Sequence, residues 1–229
     1  MPSTAPDKTV AVIGAGAAGL LAALTASRAG ANVVLIERTK DGGRKILISG
    51  GGRCNILPSV AQPERYVTDS SSNTLRKILR SWPLTEQRAF FELELDMPLE
   101  LEPDTGKLFP SSHRARDVRD MLVQRVQESG ARIWFDASVT GLRPSDGAWH
   151  VELDGAPAVT AARVILATGG LSVPKTGSDG TGLGIAEALG HTMHATYPAL
   201  TPLTAHPHPH KHLAGVSRTV SIHAQGTRP

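Results

Sequence analysis

The sequence is poor in cysteine, in aromatic residues and in unbalanced charge. Cys54 is the single cysteine, so no internal disulfide can form, and the chain reads as belonging to a reducing compartment, the cytoplasm. Aromatic residues make up 4% of the sequence, which leaves Ala, Val, Leu and Ile to build the core. The formal net charge is only +3, and cations alternate with acids in stretches such as residues 114–128. That mixture lacks the basic block of a dedicated nucleic-acid surface. The longest apolar runs, near residues 10–13 and 20–24, fall well short of the roughly 20 residues a membrane span requires. Residues 1–8 carry no charged start followed by an apolar stretch, so they do not read as a secretory signal. The expected partner is therefore a small-molecule substrate, with neither nucleic acid nor membrane, and the oligomeric state is left open.

What is present is a chain of 229 residues with 40% hydrophobic content, enough for one good core and part of a second. Thr9-Val10-Ala11-Val12-Ile13 is an uninterrupted β-branched run, as in a strand buried on both faces of a parallel sheet. An alanine- and leucine-rich helix is expected over residues 17–29, with Gly30 as its stop, and a second buried strand over 32–36 completes a βαβ unit. Residues 41–55 read as a glycine-rich structured loop around the apolar segment Ile46-Leu47-Ile48. Helices are expected near 73–81 and 84–93, the second opened by Pro83, then a hairpin across Asp104-Thr105-Gly106. Ser111 or Ser112 would cap a helix running to Glu128, with Val118, Met121, Leu122, Arg125 and Val126 on one stripe. Strands are expected over 133–142, 148–153 and 158–161 as an antiparallel meander. A buried strand over 164–167 and a helix over 182–189 follow. Together these give an α/β, Rossmann-like three-layer domain of parallel sheet, helices and β-meander.

The chemistry begins at Gly14-Ala15-Gly16-Ala17-Ala18-Gly19. In a G-x-G-x-x-G turn the first glycine permits the tight exit from the strand, the second lets a pyrophosphate approach the backbone, and the third lets helix and strand pack closely. The helix start adds unpaired N–H groups and positive partial charge. Such turns are common, but this one lies between strand and helix, and Glu37 closes the next strand where ribose hydroxyls would be bound. That carboxylate favours FAD or NAD over a cofactor phosphorylated at this ribose. Arg38 beside it is as readily a surface charge as a cofactor contact.

More restrictive is the run Gly43-Arg44-Lys45 through Ser49-Gly50-Gly51-Gly52-Arg53-Cys54-Asn55. With residues 14–20, Gly106-Lys107-Leu108-Phe109-Pro110, and Ala167-Thr168-Gly169-Gly170 through Gly177 and Asp179-Gly180, it resembles the BaiN-like, or aminoacetone oxidase-like, family of FAD-dependent oxidoreductases. The similarity covers almost all of residues 9–204. It implies a FAD-binding site in which the glycines at 50–52 lie against ring or phosphate, and Arg44, Lys45 and Arg53 neutralise the pyrophosphate or a reduced flavin. Asn55 would orient a ring carbonyl or hold the loop, and Cys54 would pack near the cofactor. By similarity to two-dinucleotide-domain flavoproteins, Val139 presents backbone to the adenine, and Thr168, Gly169 and Gly170 pass the diphosphate or ribose. The electron donor implied is NAD(P)H.

The resemblance also implies a discontinuous FAD-binding domain, here residues 1–204 without its last segment, followed by the start of an inserted domain over 205–229. On that reading the chain is C-terminally truncated and lacks the part that faces substrate, so no catalytic acid or base is assigned. His206, His208, His210 and His212 alternate with other residues, and a metal site could be drawn from them. No cysteine or carboxylate cluster accompanies them, and no metal is expected. The leading expectation is a FAD-dependent oxidoreductase of a small organic substrate. The alternatives are a non-catalytic or decayed dinucleotide-binding fragment, and a plain nicotinamide dehydrogenase.

Overall fold

A computed structural model describes residues 8–198, together with residues 206, 207, 212 and 221. The chain divides into two compact units, residues 1–193 and 194–229, and every element below belongs to the first. The domain boundary expected at 204/205 and the roles considered for His208 and His210 lie outside the described residues.

In chain order the elements are β1 (Thr9–Ile13), α1 (Ala17–Arg28), β2 (Asn32–Ile36), α2 (Arg44–Ile48), β3 (Leu57–Pro58), α3 (Ser72–Ser81) and α4 (Leu84–Ala89). The hairpin β4 (Leu99–Glu102) and β5 (Lys107–Pro110), helix α5 (Ala115–Glu128) and strand β6 (Arg132–Trp134) come next. Then follow β7 (Val139–Ser145), β8 (Ala148–Leu153), β9 (Ala156–Ala161), β10 (Arg163–Leu166) and α6 (Thr181–Ala188).

A parallel sheet ordered β10-β1-β2-β6 forms the middle layer. Alternate residues of its central strands face opposite ways. Val12, Val33 and Leu35 pack with Leu20 and Leu24 of α1 and Leu122 and Val126 of α5. Ala11, Ile13, Val34 and Ile36 pack with Val139, Leu142, Val151 and Ala161 of the meander β7-β8-β9 and with Ile185 of α6. Burial on both faces is the physical reason β1 and β2 are continuously apolar, each such side chain contributing about 1.5–3 kcal/mol of transfer free energy. The result is the expected three-layer α/β Rossmann domain, to which a small antiparallel sheet ordered β3-β5-β4 is added.

Several elements differ from expectation. The stretch 133–142 is two strands, because Asp136 turns the backbone to φ 54 between them. β6 joins the parallel sheet beside β2, and β7 opens the meander. Alternating hydrophobicity marks a strand but does not say which sheet it joins. α5 starts at Ala115 without a side-chain cap. Ser111 instead donates both its N–H and its hydroxyl to the Pro98 carbonyl, at 2.9 and 3.0 Å, and closes the hairpin. Arg119, not Arg125, lies on the buried stripe of α5, its side chain 10% exposed beside the carboxylates of Asp41 and Asp120. Arg125 pairs on the outer face with Glu128 at 3.0 Å. The helix begun at Leu84 changes after Ala89 into a π-turn over Phe90–Glu94. Within the glycine-rich loop, residues Arg44–Ile48 form α2, with Ile46 buried. Among the described residues no helix is long and apolar enough to cross a membrane.

Candidate functional site

The three glycines of the β1–α1 turn do different work. Gly14 has φ +99, and a Cβ there would stand 2.7 Å from the Ala167 carbonyl oxygen of the neighbouring β10 exit. A Cβ on Gly19 would fall 1.8 Å from the Gly14 oxygen. Gly16 is extended, with φ −75, and a Cβ would meet nothing within 4 Å. Packing therefore requires glycine at 14 and 19, while the space in front of Gly16 is left open. Behind this turn Glu37 is 9% exposed. Its carboxylate accepts the Ala15 N–H at 2.7 Å and the Thr39 N–H at 2.8 Å, which fixes it directly beneath the helix opening.

The turn forms one wall of a cavity of about 990 Å³. That is at the upper end of the roughly 300–1,000 Å³ usual for small-molecule sites. Gly14, Gly16, Ala17 and Ala18 contribute the first wall, and Glu37 and Arg38 the base. Arg44, Lys45, Ser49, Cys54 and Asn55 contribute a second, and Val139, Thr168 and Gly169 also line it. Ala15 and Gly19 are packed behind the turn and offer no side to the cavity. Gly50, Gly51, Gly52, Arg53 and Gly170 are not on its walls either. Gly50 and Gly51 take left-handed φ values of 56 and 67 and bend the loop so that Cys54 and Asn55 reach the cavity. Arg53 turns the other way, bonding Glu102 at 2.7 Å with its guanidinium 4.2 Å from the Phe109 ring centre. It fastens the loop to the hairpin.

The cations that do reach the cavity are held in place. Lys45 donates to the Ser172 carbonyl at 2.7 Å and to the Ser178 hydroxyl at 2.8 Å, tying α2 to the loop after β10. Arg44 bonds Asp41 at 2.9 Å, and that contact holds the Asp41 carboxyl below its ordinary value. Arg38 bonds Asp179 at 2.8 Å across the cleft. The Asp179 carboxyl is lowered to about 2, first by the Thr181 hydroxyl and then by Arg38. Burial pushes the Cys54 thiol up from its ordinary value, against a smaller pull from Ser49. A protonated thiol is a poor nucleophile, so Cys54 acts here as a small apolar wall.

Residues given no site role from the sequence complete the site: Thr39, Ser138, Thr140, Ser178, Asp179 and Thr181. Asp179 stood in the motif that carried the family resemblance, but its position opposite Arg38 depends on a contact between residues 141 apart in sequence. Ser178 is buried, and its hydroxyl lies where a Cβ on Gly169 would be 2.6 Å away. Among the described residues no cluster of His, Cys, Asp or Glu could hold a metal ion.

Residues 8–223 match the HI0933-like protein Rossmann domain. The chain belongs to the HI0933-like family. Two relatives support that membership. A 3-dehydro-bile acid delta(4,6)-reductase of Clostridium scindens is 31% identical over 217 residues, covering 94% of this chain and 52% of the relative. A ribosomal RNA dihydrouridine synthase of Escherichia coli is 32% identical over 196 residues, covering 85% and 48%. The chain thus spans about half the length of these relatives. Among solved structures, a flavocytochrome c3 fumarate reductase superposes with TM-score 0.56 at 20% identity, covering 81% of this chain and 41% of that one. The 3-ketosteroid-delta4-(5alpha)-dehydrogenase of Rhodococcus jostii gives 0.53 at 19%, covering 74% and 48%. At these identities the likeness is one of fold, and it agrees with the three-layer architecture.

Proposed function

We propose that this chain forms the FAD-binding part of a flavin-dependent oxidoreductase acting on a small organic substrate, with NAD(P)H as electron donor. The observation that carries the reading is the pairing of Gly16 with Glu37. Gly16 leaves an open cradle that no packing contact requires, and a buried carboxylate is fixed just beneath it. The Ala17 and Ala18 amides at the start of α1 would hold the pyrophosphate, where the helix dipole favours negative charge. Each Glu37 oxygen has accepted one amide and keeps lone-pair capacity for a ribose hydroxyl. The Val139 backbone would meet the adenine. Thr168 and Gly169 would pass the diphosphate or ribose, and Arg44 and Lys45 would offset its charge. Bound FAD supplies the hydride chemistry, and the protein supplies position and shelter from water. Cys54, a lone buried thiol, takes no part in electron transfer and accords with a reducing, cytoplasmic setting.

Two relatives are named for a delta(4,6)-reductase and a dihydrouridine synthase, both names denoting the saturation of a ring double bond. An unsaturated ring compound is accordingly the substrate class we favour.

The test is titration of the purified chain with FAD, followed by quenching of flavin fluorescence. Saturable binding is expected for the wild type and is lost in Gly16→Val, whose circular dichroism stays native. Absence of saturable binding by the folded wild-type chain overturns the reading.

A further inference from the structure

Arg38 stands directly after the ribose-binding carboxylate, where an arginine ordinarily welcomes a 2′-phosphate on the adenosine. Here its guanidinium is already engaged, 2.8 Å from Asp179. Asp179 is itself held firmly. Its other oxygen accepts the Thr181 hydroxyl at 2.7 Å and the Thr181 N–H at 3.2 Å at the head of α6. Both residues line the same cavity as Glu37. The cavity therefore presents two carboxylates, Glu37 and Asp179, around one arginine that is already paired.

We infer that Asp179 is a specificity-determining residue, which withholds Arg38 and makes this cavity refuse dinucleotides phosphorylated at the adenosine 2′ position. The inference rests on the cofactor-site reading above and adds a residue to it. An incoming 2′-phosphate must share the Arg38 charge with Asp179 and lie near two negative charges, whereas a free 2′-hydroxyl only donates to Glu37. Removing the Asp179 charge leaves Arg38 free to form a charge-assisted bond to the phosphate. Asn at 179 keeps an oxygen for the Thr181 N–H, so the start of α6 is retained.

The experiment uses the nucleotide-free chain and a matched pair of probes, ADP-ribose and 2′-phospho-ADP-ribose, in isothermal titration calorimetry. Wild type is expected to favour ADP-ribose. In Asp179→Asn that preference narrows by about tenfold, the scale of one charge-assisted contact, mainly through tighter binding of the phosphorylated probe. In the double variant Arg38→Gln/Asp179→Asn the preference returns towards wild type, since the gain runs through Arg38. An unchanged preference in Asp179→Asn, or a narrowing that survives in the double variant, overturns the role given to Asp179. Failure of the folded wild-type chain to bind ADP-ribose at all overturns the cofactor reading itself, and this inference with it.

Discussion

Gly16 and Gly19 stand three positions apart in one turn and answer to different forces, which makes them separable by the same substitution. Gly19→Ala drives a methyl to 1.8 Å from the Gly14 oxygen, a clash with backbone that only displacement of α1 can relieve. A loss of about 1–3 kcal/mol or more is expected in urea unfolding. Gly16→Ala puts its methyl into open space on a backbone that any residue adopts, so stability should stay within about 1 kcal/mol of wild type. FAD affinity should nevertheless fall at least about tenfold, one lost close contact at the pyrophosphate. Equal stability losses in both variants would show that Gly16 is a packing glycine after all. At Asp179 the expected behaviour is a pH dependence. Its folded value of about 2 lies below the ordinary 3.8, so its stabilisation is complete above about pH 4 and is lost as pH falls through about 2. The side chain is 42% exposed, and solvent screening keeps this contribution below about 1 kcal/mol. Thermal unfolding of wild type and Asp179→Asn should show a constant gap from pH 7 to about 4 that closes towards pH 2. Glu37 was legible in the sequence because a strand end fixes its place relative to the neighbouring turn. Asp179 and Ser178 were not, because the loop carrying them meets Arg38 and Lys45 only through the tertiary fold.

At the scale of elements, the short helix α2 shows how a contact outside an element can determine it. Gly43 stands at its start with φ +61, and a Cβ there would lie 2.4 Å from Cγ of Arg119 in α5. α5 can thus approach closely enough to set Arg119 beside Asp41, and α2 is pinned with Ile46 inward and Lys45 towards the cavity. Gly43→Ala should cost about 2–5 kcal/mol, the sum of a left-handed alanine and local overpacking, measured by urea denaturation. A cost within about 0.5 kcal/mol, the usual effect at an unconstrained surface position, would mean that Arg119 moves aside freely and does not brace the site. In the sequence α2 reads as loop because it is short. A five-residue helix set between glycines does not complete two turns, so no amphipathic period develops. β1, α1 and β2 were legible for the opposite reason. Each is long enough for its burial pattern to repeat, and both faces of the strands are covered. The split of 133–142 into β6 and β7 turned on one residue, Asp136, whose left-handed backbone leaves little trace in composition.

For the whole domain, the cavity follows from strand order. From β1 the chain moves to β2 on one side, while β10 returns on the other, so the connections leaving β1 and β10 diverge at the carboxyl ends of these strands. A crevice opens where strand order reverses in this way. Gly14, Gly16, Ala17 and Ala18, Glu37 and Arg38, and Thr168 and Gly169 follow the ends of β1, β2 and β10 and converge there. The meander and α6 close it from the other face of the sheet through Val139 and Ile185. A ligand seated in it touches all three layers and therefore stabilises them jointly, not one loop alone. By mass action, FAD at a hundred times its Kd should raise the unfolding free energy by about 2.7 kcal/mol, or roughly 5–10 °C in midpoint for a chain of this size. Differential scanning calorimetry across an FAD series checks this, with the midpoint rising logarithmically with concentration. If fluorescence showed saturation while the midpoint stayed fixed, FAD would be binding the folded and unfolded chain alike, which a crevice assembled from β1, β2, β10 and α6 cannot do.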